Sequence, residues 1–253
     1  MLAMRLRANV CAVLFLTLIS LVSGGCGPEQ QRGFSKEPAI QCSGNALEHS
    51  EDVMLTVGAD DSACGIYWAS QGGSPHAGIV FVSGVDGGFV EPVDGIYQKI
   101  ATELSRRGVA SVFVQYRRPG EIDASLEDAL QAAQHLRNLG VKKMALVGWS
   151  FGGAVITNAA VRIPETVTVI GFAPQAELTE PVRQFSKQSI LLIHSHDDEN
   201  VPFVSSEQIL DEAPESTRKR LVELDGFDHL LTGAGETVEP IVMKWLLDEF
   251  SAW

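Results

Sequence analysis

Short apolar runs rich in β-branched residues alternate with amphipathic stretches from about residue 51 onward. Runs of this kind are typical of strands, and eight strands are predicted: Val53–Val57, Gly65–Ala69, Gly78–Val82, Val109–Gln115, Lys143–Val147, Val167–Gly171, Ser189–Ile193 and Arg220–Leu224. Five of them are nearly continuous apolar runs, which is the pattern expected where helices cover both faces of a sheet.

Helical periodicity is found between these runs. Residues 93–107 place apolar side chains on one face, a second stripe extends from Leu126 to Leu136, and a last helix covers Val238–Phe250. Two leading strands followed by repeated strand–helix units predict an α/β domain over residues 51–253, built on a mostly parallel, doubly wound sheet. No repeat or low-complexity segment interrupts this pattern.

The first 25 residues have the composition of an export signal. Arg5 and Arg7 precede the apolar run Val10–Val22, which is shorter than the roughly 18 to 20 residues that span a bilayer. Small residues then lead to Cys26, and this arrangement resembles the bacterial lipoprotein cleavage box. We therefore expect lipidation of Cys26, a polar tether over residues 26–50, and a membrane-anchored protein at the cell surface or in the periplasm. The alternative is ordinary secretion.

The other cysteines are also relevant to whether the protein is exported. If Cys11 leaves with the signal and Cys26 takes the lipid, Cys42 and Cys64 remain as one pair. An exported compartment is oxidising, so a Cys42–Cys64 disulfide is expected. The alternative is that both are unpaired, small apolar residues.

The charge balance excludes one class of partner. Nineteen Lys and Arg stand against 32 Asp and Glu, for a net charge of −13. Such a chain repels polyanions, so nucleic-acid binding is not expected. An anionic membrane would attract it poorly, so membrane attachment would depend on the acyl anchor.

The most informative motif is Gly148-Trp-Ser-Phe-Gly152, between a predicted buried strand and a helix rich in small residues. A tight turn from strand to helix strains the backbone of its middle residue, and glycines on both sides prevent collisions. The turn would hold the Ser150 hydroxyl above the sheet edge at a helix N-terminus, which favours developing negative charge.

A serine nucleophile needs a base, and the base needs an orienting carboxylate. An acidic turn with Asp197, Asp198 and Glu199 follows the seventh predicted strand, and His229 follows the eighth. Open α/β sheets place their sites at the carboxyl ends of parallel strands, where all these groups lie. The candidates occur in the order Ser, Asp, His.

With these motifs the chain resembles the α/β-hydrolase superfamily, and within it the dienelactone-hydrolase-like group, from about Val53 to Phe250. The resemblance rests on Gly148-Trp-Ser-Phe-Gly152, Asp198-x-x-Val201-Pro202 and Gly226-x-x-His229. It implies Ser150 as nucleophile, Asp198 as acid, His229 as general base, and an eight-stranded sheet whose first strands are antiparallel. Dienelactone hydrolases themselves carry Cys as nucleophile, so Ser150 argues against that substrate.

The resemblance also implies an oxyanion loop after the third strand, here residues 80–88. Many members have His-Gly where this chain has Ser83-Gly84. Backbone N–H groups are the functional donors, and we assign the first to Phe151 and the second to Val85, with Asp86 as its alternative.

Two further hypotheses concern residues near the same edge of the predicted sheet. His194, His196 and Asp198 form an H-x-H-x-D spacing found in metallo-β-lactamase-like hydrolases, but the further histidines of such a site are missing, so no metal is expected. Arg117 and Arg118 follow the fourth strand and could hold a substrate carboxylate through bidentate hydrogen bonds. The alternative is that both are solvated or ion-paired.

Together these features predict a serine carboxylesterase that needs no cofactor. Residues 172–188 are too few for a large lid, which favours small or polar acyl groups over long-chain lipids. Thioester or amide cleavage, or acyl transfer, on the same triad is the alternative within the enzyme class. A non-catalytic surface lipoprotein that uses the fold as a binding module is the alternative outside it.

Overall fold

Eight strands form one sheet in a computed structural model of the chain, which describes residues 50–57 and 61–251. The strands are β1 (Glu51–Val57), β2 (Asp61–Trp68), β3 (Ala77–Val82), β4 (Val109–Gln115), β5 (Met144–Trp149), β6 (Thr166–Phe172), β7 (Ser189–Ser195) and β8 (Lys219–Leu224). Their order is β1-β2-β4-β3-β5-β6-β7-β8. β2 is antiparallel to both of its neighbours, and all other neighbouring strands are parallel. The predicted sheet is confirmed.

Helices cover both faces of this sheet. They are α1 (Ile96–Ser105), α2 (Ile122–Asn138), α3 (Gly152–Ala160), α4 (Val204–Glu212) and α5 (Gly235–Ser251). Apolar residues of α2, α3 and α4 pack in one core cluster, and those of α1 and α5 pack in another. Successive residues of a strand point to opposite faces, so Val80 joins the first cluster and Phe81 the second. This double burial explains the continuous apolar runs.

Two helix boundaries differ from the prediction. The predicted start of α1 at residue 93 is wrong, because Val93, Asp94 and Gly95 all have positive φ angles of 53°, 51° and 89°. An α-helix cannot include left-handed residues, so α1 begins only at Ile96. The second difference is α4, which begins at Val204 in a segment where the sequence pattern predicted no helix.

Several predictions concern residues outside the described ranges. These are the leader at residues 1–25, Cys26, Cys42 and all of the tether except Ser50. Cys64 lies buried in β2 and carries a disulfide bond whose partner is outside the described residues, so its pairing with Cys42 stays a prediction. Within residues 50–57 and 61–251, no helix has the length and apolar character needed to cross a membrane.

The parallel strands bring the candidate residues to one edge. β3, β5, β7 and β8 run in the same direction, so the segments that follow them meet at the carboxyl edge of the sheet. Between β6 and β7 the chain forms a loop and a short 3-10 helix at Glu180–Gln184, and no large lid is inserted there.

Candidate active site

Ser150 occupies the turn between β5 and α3. Its φ angle is +56°, a conformation that non-glycine residues adopt at a cost. The amide N–H of Ser150 donates to the Phe172 carbonyl oxygen at 2.9 Å, which ties the turn to β6. The strain predicted for this position is therefore present, and the Ser150 side chain is held at the end of the sheet.

The two glycines of the motif are required by close approaches of the backbone. A Cβ atom on Gly148 would lie 2.4 Å from the Gly152 carbonyl oxygen, and one on Gly152 would lie 2.6 Å from the Ser83 carbonyl oxygen. Neither position has room for a side chain. The second contact also shows that the loop after β3 lies directly against the serine turn.

The three residues assigned to a triad meet in one hydrogen-bonded line. His229 Nε2 lies 2.9 Å from Ser150 Oγ, and His229 Nδ1 lies 2.7 Å from Asp198 Oδ2. The Asp198 side chain is fully buried, whereas the His229 side chain keeps 11% of its surface exposed. In this line Ser150 O–H donates to Nε2, and Nδ1–H donates to the carboxylate.

The acidic turn presents only one of its three carboxylates to His229. Asp198 Oδ1 accepts the Asn200 and Val201 amides at 2.8 and 2.9 Å. Burial by itself raises the pKa of Asp198, but the hydrogen bonds from His229 and from these amides outweigh it, so its pKa lies below the ordinary value. Asp197 and Glu199 are exposed, and Asp197 instead accepts the Gly226 amide at 2.6 Å.

The loop that carries His229 is held from both sides. Trp149 Nε1 donates to the His229 carbonyl oxygen at 2.9 Å, and the two rings lie 5.0 Å apart. The carboxylate of Asp228 accepts both the amide and the hydroxyl of Thr232 at 2.8 Å. The Val93 amide donates to Leu230 O at 2.8 Å, which accounts for the strained turn before α1.

The loop after β3 is closed by Ser83. Ser83 is fully buried, and its hydroxyl donates to the Val90 carbonyl oxygen at 2.7 Å. The Tyr116 hydroxyl donates to the Ser83 carbonyl oxygen at 3.1 Å. Within the described part of the chain, the amides of Val85 and Phe151 donate to no protein acceptor, so both are available to a ligand.

The two arginines are not arranged as a substrate clamp. The Arg117 guanidinium contacts three carboxylates: Asp61, Glu127 and Asp128. Its Nε lies 2.5 Å from the buried Asp128, and its side chain is only 9% exposed. The hypothesis that Arg117 holds a substrate carboxylate is therefore not supported, because three carboxylates of the protein already engage its guanidinium. Arg118 is 64% exposed and lies 3.8 Å from Glu121, so the ion-paired alternative describes both residues.

The histidines of the H-x-H-x-D spacing have separate environments. His194 is buried, whereas His196 is exposed and stacks on Phe203 at 3.8 Å between ring centroids. Among the described residues, no group of three His, Cys, Asp or Glu side chains is arranged to hold a metal ion. His194 instead contacts Asp198, a contact that sequence reasoning missed.

A cavity of about 410 Å³ opens beside His229. Its lining residues include Asp197, Glu199 and Asp228. No Lys or Arg lines it within the ranges that the structure describes. The described lining of the cavity thus contains acidic residues and no cationic Lys or Arg to balance them.

We expect His194 to make the protein less stable in mild acid. Burial lowers the pKa of His194 below its ordinary value of 6.5. Below pH 6.5 the unfolded chain therefore binds a proton at His194 that the folded chain does not. As the pH is lowered, the free energy of unfolding decreases until the pH reaches the pKa of His194 in the folded protein. Melting temperatures measured between about pH 7 and 5 should fall less steeply for His194→Gln than for the wild type. Parallel curves would contradict this assignment.

One known protein family matches more than half of this chain. Residues 79–227 match the dienelactone hydrolase family. A candidate carboxymethylenebutenolidase of Saccharolobus solfataricus is 27% identical over 104 residues, which is 40% of each chain. The match thus spans less than half the length of that curated relative.

Solved structures show the same architecture. The dienelactone hydrolase of Anabaena variabilis superposes with a TM-score of 0.64 at 18% identity, covering 79% of this chain and 98% of that one. Est1E from Butyrivibrio proteoclasticus gives a TM-score of 0.65 at 15% identity, covering 79% and 99%. At these identities the likeness concerns the fold. Together with the match over residues 79–227, it shows that the chain belongs to the dienelactone hydrolase family, a family of hydrolases with the α/β-hydrolase fold.

Proposed function

We propose that the protein is a serine hydrolase that cleaves carboxylic esters of small or polar acyl groups. The observation that carries the proposal is the continuous hydrogen-bonded line from Asp198 through His229 to Ser150. A buried, ionised acid at one end and a strained serine at the other are the requirements for activating a hydroxyl as a nucleophile.

In the first half of the reaction, Ser150 Oγ attacks the acyl carbon while its proton passes to His229 Nε2. Asp198 accepts Nδ1–H and stabilises the imidazolium that forms. The amides of Phe151 and Val85 donate to the oxyanion of the tetrahedral intermediate. The intermediate collapses when His229 returns the proton to the leaving alcohol, which gives an acyl-enzyme on Ser150.

In the second half, a water molecule takes the place of the alcohol. His229 removes a proton from this water as its oxygen attacks the acyl carbon. The second tetrahedral intermediate uses the same two amides, and its collapse returns the proton from His229 to Ser150 Oγ. The acid is released and the serine is regenerated.

The surroundings of His229 favour uncharged or cationic substrates. Three acidic residues line the adjacent cavity, and Arg117 is occupied by its own carboxylate partners. A substrate carboxylate would therefore approach uncompensated negative charge. No large lid covers the site between β6 and β7, so the site is open to polar groups. The acidic lining would then select against those polar groups that are anionic.

We expect a substrate carboxylate to lower kcat/KM by about tenfold relative to its neutral methyl ester at low ionic strength. The matched pair is mono(4-nitrophenyl) glutarate and methyl 4-nitrophenyl glutarate. The difference should shrink in about 0.5 M salt, because ions screen the carboxylates. Glu199→Gln should reduce it, whereas Glu215→Gln, an exposed residue before β8, should not. Equal rates for both esters would contradict the proposed charge selection.

The proposed activity is tested by labelling the purified protein with a fluorophosphonate probe. We expect stoichiometric phosphonylation, with mass spectrometry placing the adduct on the peptide that contains Ser150. A protein that neither reacts with the probe nor hydrolyses 4-nitrophenyl acetate would be a binding module instead of a hydrolase. If the protein hydrolysed a thioester or an amide faster than an ester, it would instead be a thioesterase or amidase that uses the same triad.

We also propose export as a lipoprotein, with Cys26 lipidated and Cys42 paired with Cys64. The support for this part is the arrangement of residues 1–26 together with the buried, disulfide-bonded Cys64. Ester cleavage would then take place at the cell surface or in the periplasm.

A further inference from the structure

A second histidine contacts the carboxylate that orients His229. The side chain of His194 is fully buried at the end of β7. Its Nε2 atom lies 3.1 Å from Asp198 Oδ2 and 3.0 Å from the Val201 carbonyl oxygen. Its Nδ1 atom lies 2.8 Å from Ser206 Oγ in α4. Both ring nitrogens are thus engaged inside the protein.

These contacts determine which ring nitrogen of His194, Nε2 or Nδ1, carries the proton. A carbonyl oxygen can only accept a hydrogen bond, so the contact with Val201 requires a proton on Nε2. Burial lowers the pKa of His194, so the ring is neutral and Nδ1 carries no proton. Nδ1 therefore accepts the Ser206 hydroxyl, and Nε2–H is directed at Asp198 as well as at Val201.

Asp198 consequently receives N–H groups on both of its oxygens. Oδ2 accepts from His229 Nδ1 and from His194 Nε2, while Oδ1 accepts two backbone amides. Rotation of this carboxylate would break several bonds in a buried environment, where each unpaired group is costly. His194 is thus the second side-chain donor to the Asp198 oxygen that faces His229.

We propose that His194 is a positioning residue for the reaction, acting through Asp198. Its Nε2–H holds Asp198 Oδ2 in line with His229 Nδ1, and the Ser206 hydroxyl maintains the required tautomer of His194. This inference rests on the proposed function, since the oriented carboxylate matters only if His229 acts as a base.

A pair of amide variants tests this role. The side-chain amide of His194→Asn ends near the position of Nδ1 and cannot reach Asp198, whereas that of His194→Gln extends to the position of Nε2. For 4-nitrophenyl acetate we expect His194→Asn to lower kcat by about tenfold, the equivalent of one hydrogen bond to a charged group, with KM changed by less than about twofold. His194→Gln should recover kcat to within about threefold of the wild type.

A double-mutant cycle separates positioning from general damage to the fold. In the background of Asp198→Asn, His194→Asn should cause less than about a twofold further loss, because the oriented carboxylate is already absent. A further tenfold loss in the Asp198→Asn background would overturn the proposal. So would a His194→Asn enzyme with the kcat of the wild type, or a His194→Gln enzyme whose kcat is no higher than that of His194→Asn. Wild-type protein without turnover or probe labelling would overturn the proposed function and, with it, this role.

If His194→Asn does not fold, the wild-type protein still tests the proposal. Two-bond ¹H–¹⁵N spectra of histidine-labelled protein distinguish a ring protonated at Nε2 from one protonated at Nδ1. We expect one histidine, absent from the spectrum of His194→Gln, to be held in the Nε2–H form across neutral pH. An Nδ1–H form at this histidine would overturn the proposal, because Nε2 would then have no proton to donate to Asp198.

Discussion

Replacing Ser150 by alanine is expected to lower kcat by about 10⁶-fold, because the acyl-enzyme can no longer form. The amides of Phe151 and Val85 would remain and could still stabilise an oxyanion formed by direct attack of water. Steady-state hydrolysis of 4-nitrophenyl acetate, measured at high enzyme concentration to detect the residual rate, gives the size of the effect. KM should change little, since the Ser150 hydroxyl contributes mainly after substrate has bound.

Ser186→Ala is the matched control for this substitution. Ser186 is exposed and lies before β7, at the opposite end of that strand from the acidic turn. Its replacement should leave kcat unchanged within error, and circular dichroism should show both variants folded. A Ser150→Ala protein that keeps more than about 1% of the wild-type rate would refute Ser150 as the nucleophile.

Asp198→Asn is expected to lower kcat by about 10⁴-fold while leaving the fold intact. The amide has nearly the same shape as the carboxylate, but it carries no charge to stabilise the imidazolium of His229. Its NH₂ group also favours the wrong tautomer of His229, in which Nε2 holds a proton and cannot accept one from Ser150. The measurement is the same ester assay, with Ser150 labelling by the fluorophosphonate probe as a second readout.

Glu199→Gln is the matched control for Asp198→Asn. Glu199 follows Asp198 in the same turn but is exposed, and Glu199→Gln should change the rate on a neutral ester by less than about threefold. If Glu199→Gln proved as damaging as Asp198→Asn, the assignment of the triad acid would have to be reconsidered.

Asp198 and His229 are positioned together, although they belong to different loops. Ser195 Oγ accepts the Asp197 amide at 3.3 Å and the Phe227 amide at 3.2 Å. Asp197 Oδ2 accepts the Gly226 amide at 2.6 Å. These bonds join the turn after β7 to the loop after β8, so the distance between Asp198 and His229 is set by the scaffold as well as by their own contact.

Much of the fold could be predicted from sequence because its signals are local. Continuous apolar runs such as those of β3 and β7 indicate strands buried on both faces, and the alternation of strands with amphipathic helices indicates a doubly wound sheet. The glycines around Ser150 indicate a strained turn, and its positive φ agrees with that reading. The acid was the harder assignment, since spacing alone did not separate Asp198 from Asp197 and Glu199.

The features that sequence reasoning missed depend on partners distant in the chain. For Arg117 the substrate-binding hypothesis and the ion-paired alternative both stayed open, because nothing near it in sequence showed that Asp61 and Asp128 would contact its guanidinium. The start of α1 was misplaced because the left-handed turn at Val93 is stabilised by Leu230. Such contacts span from 11 to more than 100 positions in the chain, and no local pattern encodes them.

The sequence by itself determined the order of strands and helices and identified Ser150, His229 and three acidic residues as candidates, since each is a property of short segments. Only the tertiary structure decided which carboxylate reaches His229, and that His194 shares it. The physical reason is that hydrogen bonds act over about 3 Å and require a particular direction, so they are settled only when β7, β8 and α4 have packed.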